Sequence, residues 1–120
     1  ILRLRSLEGL ENLGVNLDTG HFNASAEQTA LTLARIGGAV SGTHLCDNDG
    51  VVNSSLEPGA GTVDWAVFRE WALSGVYSGS WDVEIRCPAD EVEDRYRKGL
   101  KFLSCLLEEE KIKQTGVMNA

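Results

Sequence analysis

Asp18, His44 and Glu84 are the residues of this chain whose types and positions could do chemistry together. Asp18 ends a stretch in which Leu13, Val15 and Leu17 alternate with Gly14, Asn16 and Asp18. Glu84 lies in a second such stretch, where Trp81, Val83 and Ile85 alternate with Asp82, Glu84 and Arg86. A period of two marks a strand with unlike faces, and both acids fall on the polar one. His44 lies near the end of a third extended run, Ala39 to Cys46. One imidazole with two carboxylates suits a divalent ion such as Mn²⁺, Zn²⁺ or Mg²⁺. The same groups could instead satisfy one another as a hydrogen-bonded polar cluster, because an acid at a strand end is common in α/β proteins.

Bringing them together requires neighbouring parallel strands, and the chain has the pattern for them. Strands are predicted over 12–19, 39–46 and 81–86, each followed by a helix. The first helix, 25–36, has Ser25 and Gln28 as a capping box, Ala26, Ala30, Leu33 and Ala34 as an apolar stripe, and Gly37-Gly38 as its stop. The second is capped by Thr62, buries Val67, Phe68, Trp71 and Ala72, and stops at Gly75. Trp65 and Trp71 read as core. The third starts at Pro88 and Asp90 and places Val92, Tyr96, Leu100, Leu103 and Leu107 on one face. Residues 1–11 read as the remnant of a preceding helix, and 114–120 as a tail. Strands alternating with helices imply a parallel sheet with right-handed crossovers. The fold class is therefore α/β, with 12–113 forming three parallel β/α units in a single domain, 1–120. A doubly covered parallel sheet is usually apolar on both faces. Here one face carries Asn16, Asp18, His44, Asp82 and Glu84, which must be paired, hydrated or bound to a cation.

A fifteen-residue loop, Asp47 to Gly61, separates the second strand from its helix. Loops of that length are often functional. Asp47, Asn48 and Asp49 look superficially calcium-like but lack the spacing of a helix-loop-helix calcium site, and read as loop-capping groups that support the site. Cys46 reads as a small inward-facing filler rather than a soft ligand.

Composition narrows the partners. With 11 basic against 18 acidic residues, the net charge is −7. A duplex-binding protein usually carries a basic face, so nucleic acid is disfavoured, as are anionic membrane surfaces. No apolar run approaches the ~18–20 residues of a membrane span. The cysteines, Cys46, Cys87 and Cys105, are odd in number and form no C-x-x-C, which suggests reduced thiols in a cytoplasmic protein. The sequons at Asn23 and Asn53 then read as chance matches. The first residues show no signal peptide and no initiator Met, which suggests a chain cut from something longer.

Four words occur in order: Leu17-Asp18-Thr19-Gly20-His21, His44-Leu45-Cys46-Asp47-Asn48-Asp49-Gly50, Pro58-Gly59-Ala60-Gly61-Thr62-Val63-Asp64-Trp65, and Val83-Glu84-Ile85. Together, over about Asn12 to Leu107, they resemble the C-terminal part of the xylose isomerase-like TIM-barrel superfamily. That superfamily includes sugar-phosphate isomerases and epimerases and the abasic-site endonuclease type. The resemblance implies a partial (β/α) barrel, about half a TIM barrel. It implies that Asp18, His44 and Glu84 are ligands of a divalent metal (Mn, Zn or Mg), that Glu84 also exchanges a proton with substrate carbon, and that His21 touches substrate or, in the nuclease branch, a further metal. The substrate would be a small sugar or sugar phosphate.

The departures from the family pattern bear on function. A further ligand Glu, expected on the preceding strand, is not in the chain. The family's frequent Asp-x-His pair, which its nuclease branch uses to hold a multi-metal cluster, is replaced by Asn53-Ser54-Ser55, and the family's frequent Gly-Glu-Gly word by Gly59-Ala60-Gly61. Loss of the Asp-x-His pair, with the negative charge, argues against DNA repair. A complete barrel takes about 250 residues, so the expected partners are a second copy of the chain or a complementing N-terminal half-barrel. Two functions remain open: an incomplete isomerase or epimerase, and a non-catalytic binding or oligomerising module derived from one.

Overall fold

The computed structural model describes residues 2–7 and 9–118, with side chains among them up to Glu108. The elements run α1 (Leu2–Arg5), β1 (Val15–Asp18), α2 (Thr19–Ala24), α3 (Thr29–Ile36), β2 (Val40–His44), α4 (Trp65–Leu73) and α5 (Val92–Met118), with short 3₁₀ turns before β2 and α5. β1 and β2 pair in parallel, as alternation of strand and helix requires. Their rungs are Val15 with Val40, Asn16 with Gly42, Leu17 with Thr43 and Asp18 with His44, and the register shifts between Val15 and Asn16.

The third extended segment falls short of a strand. It touches β2's other side through one parallel bridge, Leu45 to Val83. There Leu45 N–H donates to the Asp82 carbonyl at 2.7 Å, and Glu84 N–H donates to the Leu45 carbonyl at 3.1 Å. Alternation in Trp81–Arg86 marked the correct faces, but side-chain pattern alone does not specify how many ladder bonds form.

The first predicted helix, 25–36, starts later, as α3, and a separate short helix, α2, precedes it. Ala26 has a φ of 52°, a left-handed conformation that stops α2. Ser25 sits at the C-terminal end of α2 and does not cap α3, whose start at Gln28 has no side-chain cap. The break leaves Ala26, Ala30 and Ala34 exposed, while Leu33 is buried and Ile36 packs beside it. Asp64, not Thr62, caps α4, accepting from Val67 N–H at 3.1 Å. On α5, Leu103 is buried and Phe102 and Leu106 pack against the core, whereas Val92 and Leu100 stay exposed. In the predicted α1 region, Leu2, Leu4, Leu7 and Leu10 are exposed, and Ile1 and Glu8 lie outside the described residues.

The core is Leu17, Leu33, Leu45, Trp65, Phe68 and Leu103, which places β1 and β2 against α3, α4 and α5. Trp65 packs edge-on to Phe68 and Phe102, with centroids 5.4 and 5.6 Å apart. Trp71 stacks on Tyr77, which meets Trp81 at 4.9 Å. The apolar residues of the strands therefore face this core, and the opposite face is left to the polar groups. Among the described residues, no helix is long and apolar enough to cross a membrane.

Candidate metal centre

The last rung of the sheet sets Asp18 directly opposite His44. The Leu45–Val83 bridge then sets Glu84 beside His44 from the other side. One ligand atom from each of Asp18, His44 and Glu84 lies within 4.8 Å of the other two. Ligand atoms sharing an ion at ~2.0–2.2 Å can be at most ~4.4 Å apart. Small side-chain rotations would therefore suffice, and the donor set fits a divalent cation. His44 Nδ1 and Glu84 Oε2 are already 2.9 Å apart, and both side chains are half exposed, 49% and 50%.

Asp18 has a structural duty as well. It caps α2, its Oδ1 accepting from His21 N–H at 2.9 Å. That cap turns the chain sharply out of β1 and fixes the carboxylate at the sheet's end. Its Oδ2 lies 3.8 Å from His21 Nε2, whose side chain is 70% exposed. His21 thus borders the cluster while remaining open to solvent.

Cys46 lies beneath the acids, fully buried, with its thiol 3.8 Å from Asp18 Oδ1. Burial, and next the charge of Asp18, push its pKa up to about 11. The neutral thiol is therefore favoured by the fold. Its contribution to stability is complete below the ordinary thiol value and is lost as pH rises through about 11. At pH 8 a thiol reagent is expected to label exposed Cys105 rapidly and Cys46 only after denaturation, as peptide mass mapping would show. Equal labelling of the two in the native chain would contradict this.

The loop after β2 is organised by the residues singled out from the sequence. Asp47 is fully buried. Its Oδ1 accepts from the Asn48 and Val63 amides at 2.9 and 3.0 Å, and its Oδ2 from the Gly59 amide at 3.0 Å and Trp65 Nε1 at 2.8 Å. Asn48 donates to the Gly20 carbonyl at 2.7 Å and accepts from Asn23 at 2.8 Å, joining this loop to the turn that carries His21. Asp49 is exposed and closes the loop tip, accepting from the Val51 and Val52 amides. Asn53 Oδ1 accepts from Asn48 Nδ2 at 3.3 Å, and Ser55 is buried in a left-handed conformation, φ 49°. The two positions where the nuclease pattern has ligands thus carry neutral groups held in the loop.

Two residues adjoining the triad were not singled out from the sequence. The hydroxyls of Thr19 and Thr43 bond to neighbouring backbone beside the cluster. Threonine is ordinary in strands, and only its position next to a ligand could have marked it.

The family model described as Xylose isomerase-like TIM barrel matches residues 1–105. The chain belongs to that family. Searches of curated proteins and of solved structures gave no match. In a barrel of this type, sites form at the C-terminal ends of the strands. Asp18 and His44 are the last residues of β1 and β2. The membership and the geometry therefore point to the same end of the sheet.

Proposed function

We propose that this xylose isomerase-like chain holds a divalent cation with Asp18, His44 and Glu84 and takes part in isomerising or epimerising a small sugar or sugar phosphate. The observation that carries the reading is the meeting of those three side chains at one end of a parallel sheet. A bound Mn²⁺, Zn²⁺ or Mg²⁺ would supply Lewis-acid polarisation of the substrate carbonyl. Glu84 would take a proton from the carbon beside that carbonyl and return it to carbon. His21, exposed at the rim, would bond a substrate hydroxyl or phosphate oxygen.

The three groups form one open side of a site, since His44 and Glu84 are half exposed. We propose that remaining ligands and walls come from further β/α units, in a complementing half-barrel or a second copy. The reading as half a barrel with three full units rests on that completion.

A second reading has its own support. His44 Nδ1 and Glu84 Oε2, 2.9 Å apart, can satisfy each other without a cation. On that reading the chain is a non-catalytic binding or oligomerising module.

The two readings separate in D₂O. The chain, with Mn²⁺ and a panel of aldose and ketose phosphates, is expected to exchange deuterium into substrate carbon, followed by mass spectrometry. Glu84→Gln is expected to slow exchange by about 10²–10⁴-fold, the usual worth of a positioned acid/base. Exchange at wild-type rate in that variant would remove Glu84 from the role. No exchange by the wild type, alone or at concentrations that drive self-association, would favour the module.

A further inference from the structure

The ladder between the ligand-bearing segments is short. β1 ends at Asp18, and the segment bearing Glu84 meets Leu45, just past the end of β2, through a single bridge. Ladder bonds alone therefore restrain the three ligands weakly. At each of the two junctions, a threonine hydroxyl supplies what the ladder lacks.

At the first, Thr19 follows Asp18 directly. Its Oγ1 donates to the Cys46 carbonyl at 2.7 Å and accepts from the Cys46 amide at 3.0 Å. At the second, Thr43 precedes His44 directly. Its Oγ1 donates to the Ser80 carbonyl at 3.1 Å and accepts from the Asp82 amide at 2.9 Å. Both threonines are buried, at 4% and 1% exposure. A buried hydroxyl that donates one bond and accepts another is held at both ends, and it fixes the backbone it touches. Thr19 ties the residue beside Asp18 to the residue two beyond His44. Thr43 ties the residue before His44 to the segment leading into Glu84.

We propose that Thr19 and Thr43 are positioning residues that set the spacing of the ligand triad, replacing ladder bonds at the two places where the sheet runs out. The proposal rests on the triad binding a cation, as argued above. It concerns neither contact with the ion nor the chemistry at substrate.

The test is Mn²⁺ binding to the full chain, followed by the EPR signal of free Mn²⁺, alongside thermal melting without metal. Valine matches threonine in shape and lacks the hydroxyl, while serine keeps the hydroxyl. Thr19→Val and Thr43→Val are each expected to weaken Mn²⁺ by about 10–100-fold, the usual effect of losing a group that orients a metal ligand. Thr19→Ser and Thr43→Ser are expected to stay within about threefold of wild type. Leu103→Ala, a core truncation on α5, is expected to lower the melting temperature while leaving affinity near wild type. That contrast separates positioning from general destabilisation.

Should a valine variant not fold, the alanine variant, with room for water beside the freed amide, takes its place with the same expected loss. Wild-type affinity in the folded hydroxyl-free variants would overturn the proposal while leaving the metal reading intact. Equal loss in the serine and valine variants would overturn it too, since packing of the methyl would then be what counts. If the wild type itself takes up no Mn²⁺, the metal reading fails, and this proposal fails with it.

Discussion

His44→Ala is expected to weaken Mn²⁺ binding by more than about 100-fold, exceeding the effect of disturbing a group that only orients a ligand. His44 stands between the two acids, opposite Asp18 on the ladder and 2.9 Å from Glu84. Removing it deletes the triad's one nitrogen donor and leaves only two carboxylates to hold the ion. Asp18→Ala should lose binding similarly, and it also removes the cap of α2, so its melting temperature should fall as well. His44→Ala serves as the cleaner variant, because a half-exposed side chain is worth little to the fold, about 0.5 kcal/mol or less. His21→Ala should leave metal affinity nearly unchanged, its side chain being exposed and 3.8 Å from Asp18. Calorimetric titration of the variants would measure this series. Tight Mn²⁺ binding by His44→Ala would mean that the cation sits elsewhere.

Asp47→Ala is expected to give a large loss of stability, on the order of 3–5 kcal/mol. The side chain is fully buried and accepts four hydrogen bonds, from the Asn48, Gly59 and Val63 amides and the Trp65 indole. Each buried donor left without a partner costs about 1–3 kcal/mol, and water entering the gap would recover part of the total. For a chain of this size the melting temperature should fall by roughly 10–20 °C. Longer carboxylates should not rescue it. Gly61 already packs so closely that a Cβ there would lie 2.4 Å from Asp47 Oδ1 and 2.1 Å from the Asn48 carbonyl oxygen. Asp49→Ala is the contrast, because that carboxylate is exposed at the loop tip and closes only a local turn. It should cost no more than about 1 kcal/mol. Comparable melting of the two variants would show that Asp47 does not hold the loop.

The difference between these neighbouring aspartates was invisible in the sequence. Asp47-Asn48-Asp49 reads as a run of turn-forming residues, and only the folded chain shows which carboxylate is walled in by Gly59, Val63 and Trp65. Those partners lie beyond the reach of local pattern, because side-chain burial depends on which distant segment returns over it. The same reason explains α2 and α3. A capping box at Ser25 was locally plausible, yet Ala26 takes a left-handed conformation and Ser25 ends one helix instead of starting the next. Helix propensity at 25–28 is a weak preference, and tertiary packing that buries Leu33 and partly buries Phe22 can override it.

The meeting of Asp18, His44 and Glu84 was the most legible part. Alternation set Asp18 and Glu84 on polar faces, and the order of strands and helices implied a parallel sheet whose ends converge. Those inferences need only the period of the strand and the steric preference of crossover connections, which short sequence patterns carry. The pairing of Asp18 with His44, the reduction of the third strand to one bridge and the two threonine contacts were decided by the assembled structure. Register and ladder length depend on the balance of many contacts across the sheet, and no run of neighbouring residues contains that sum.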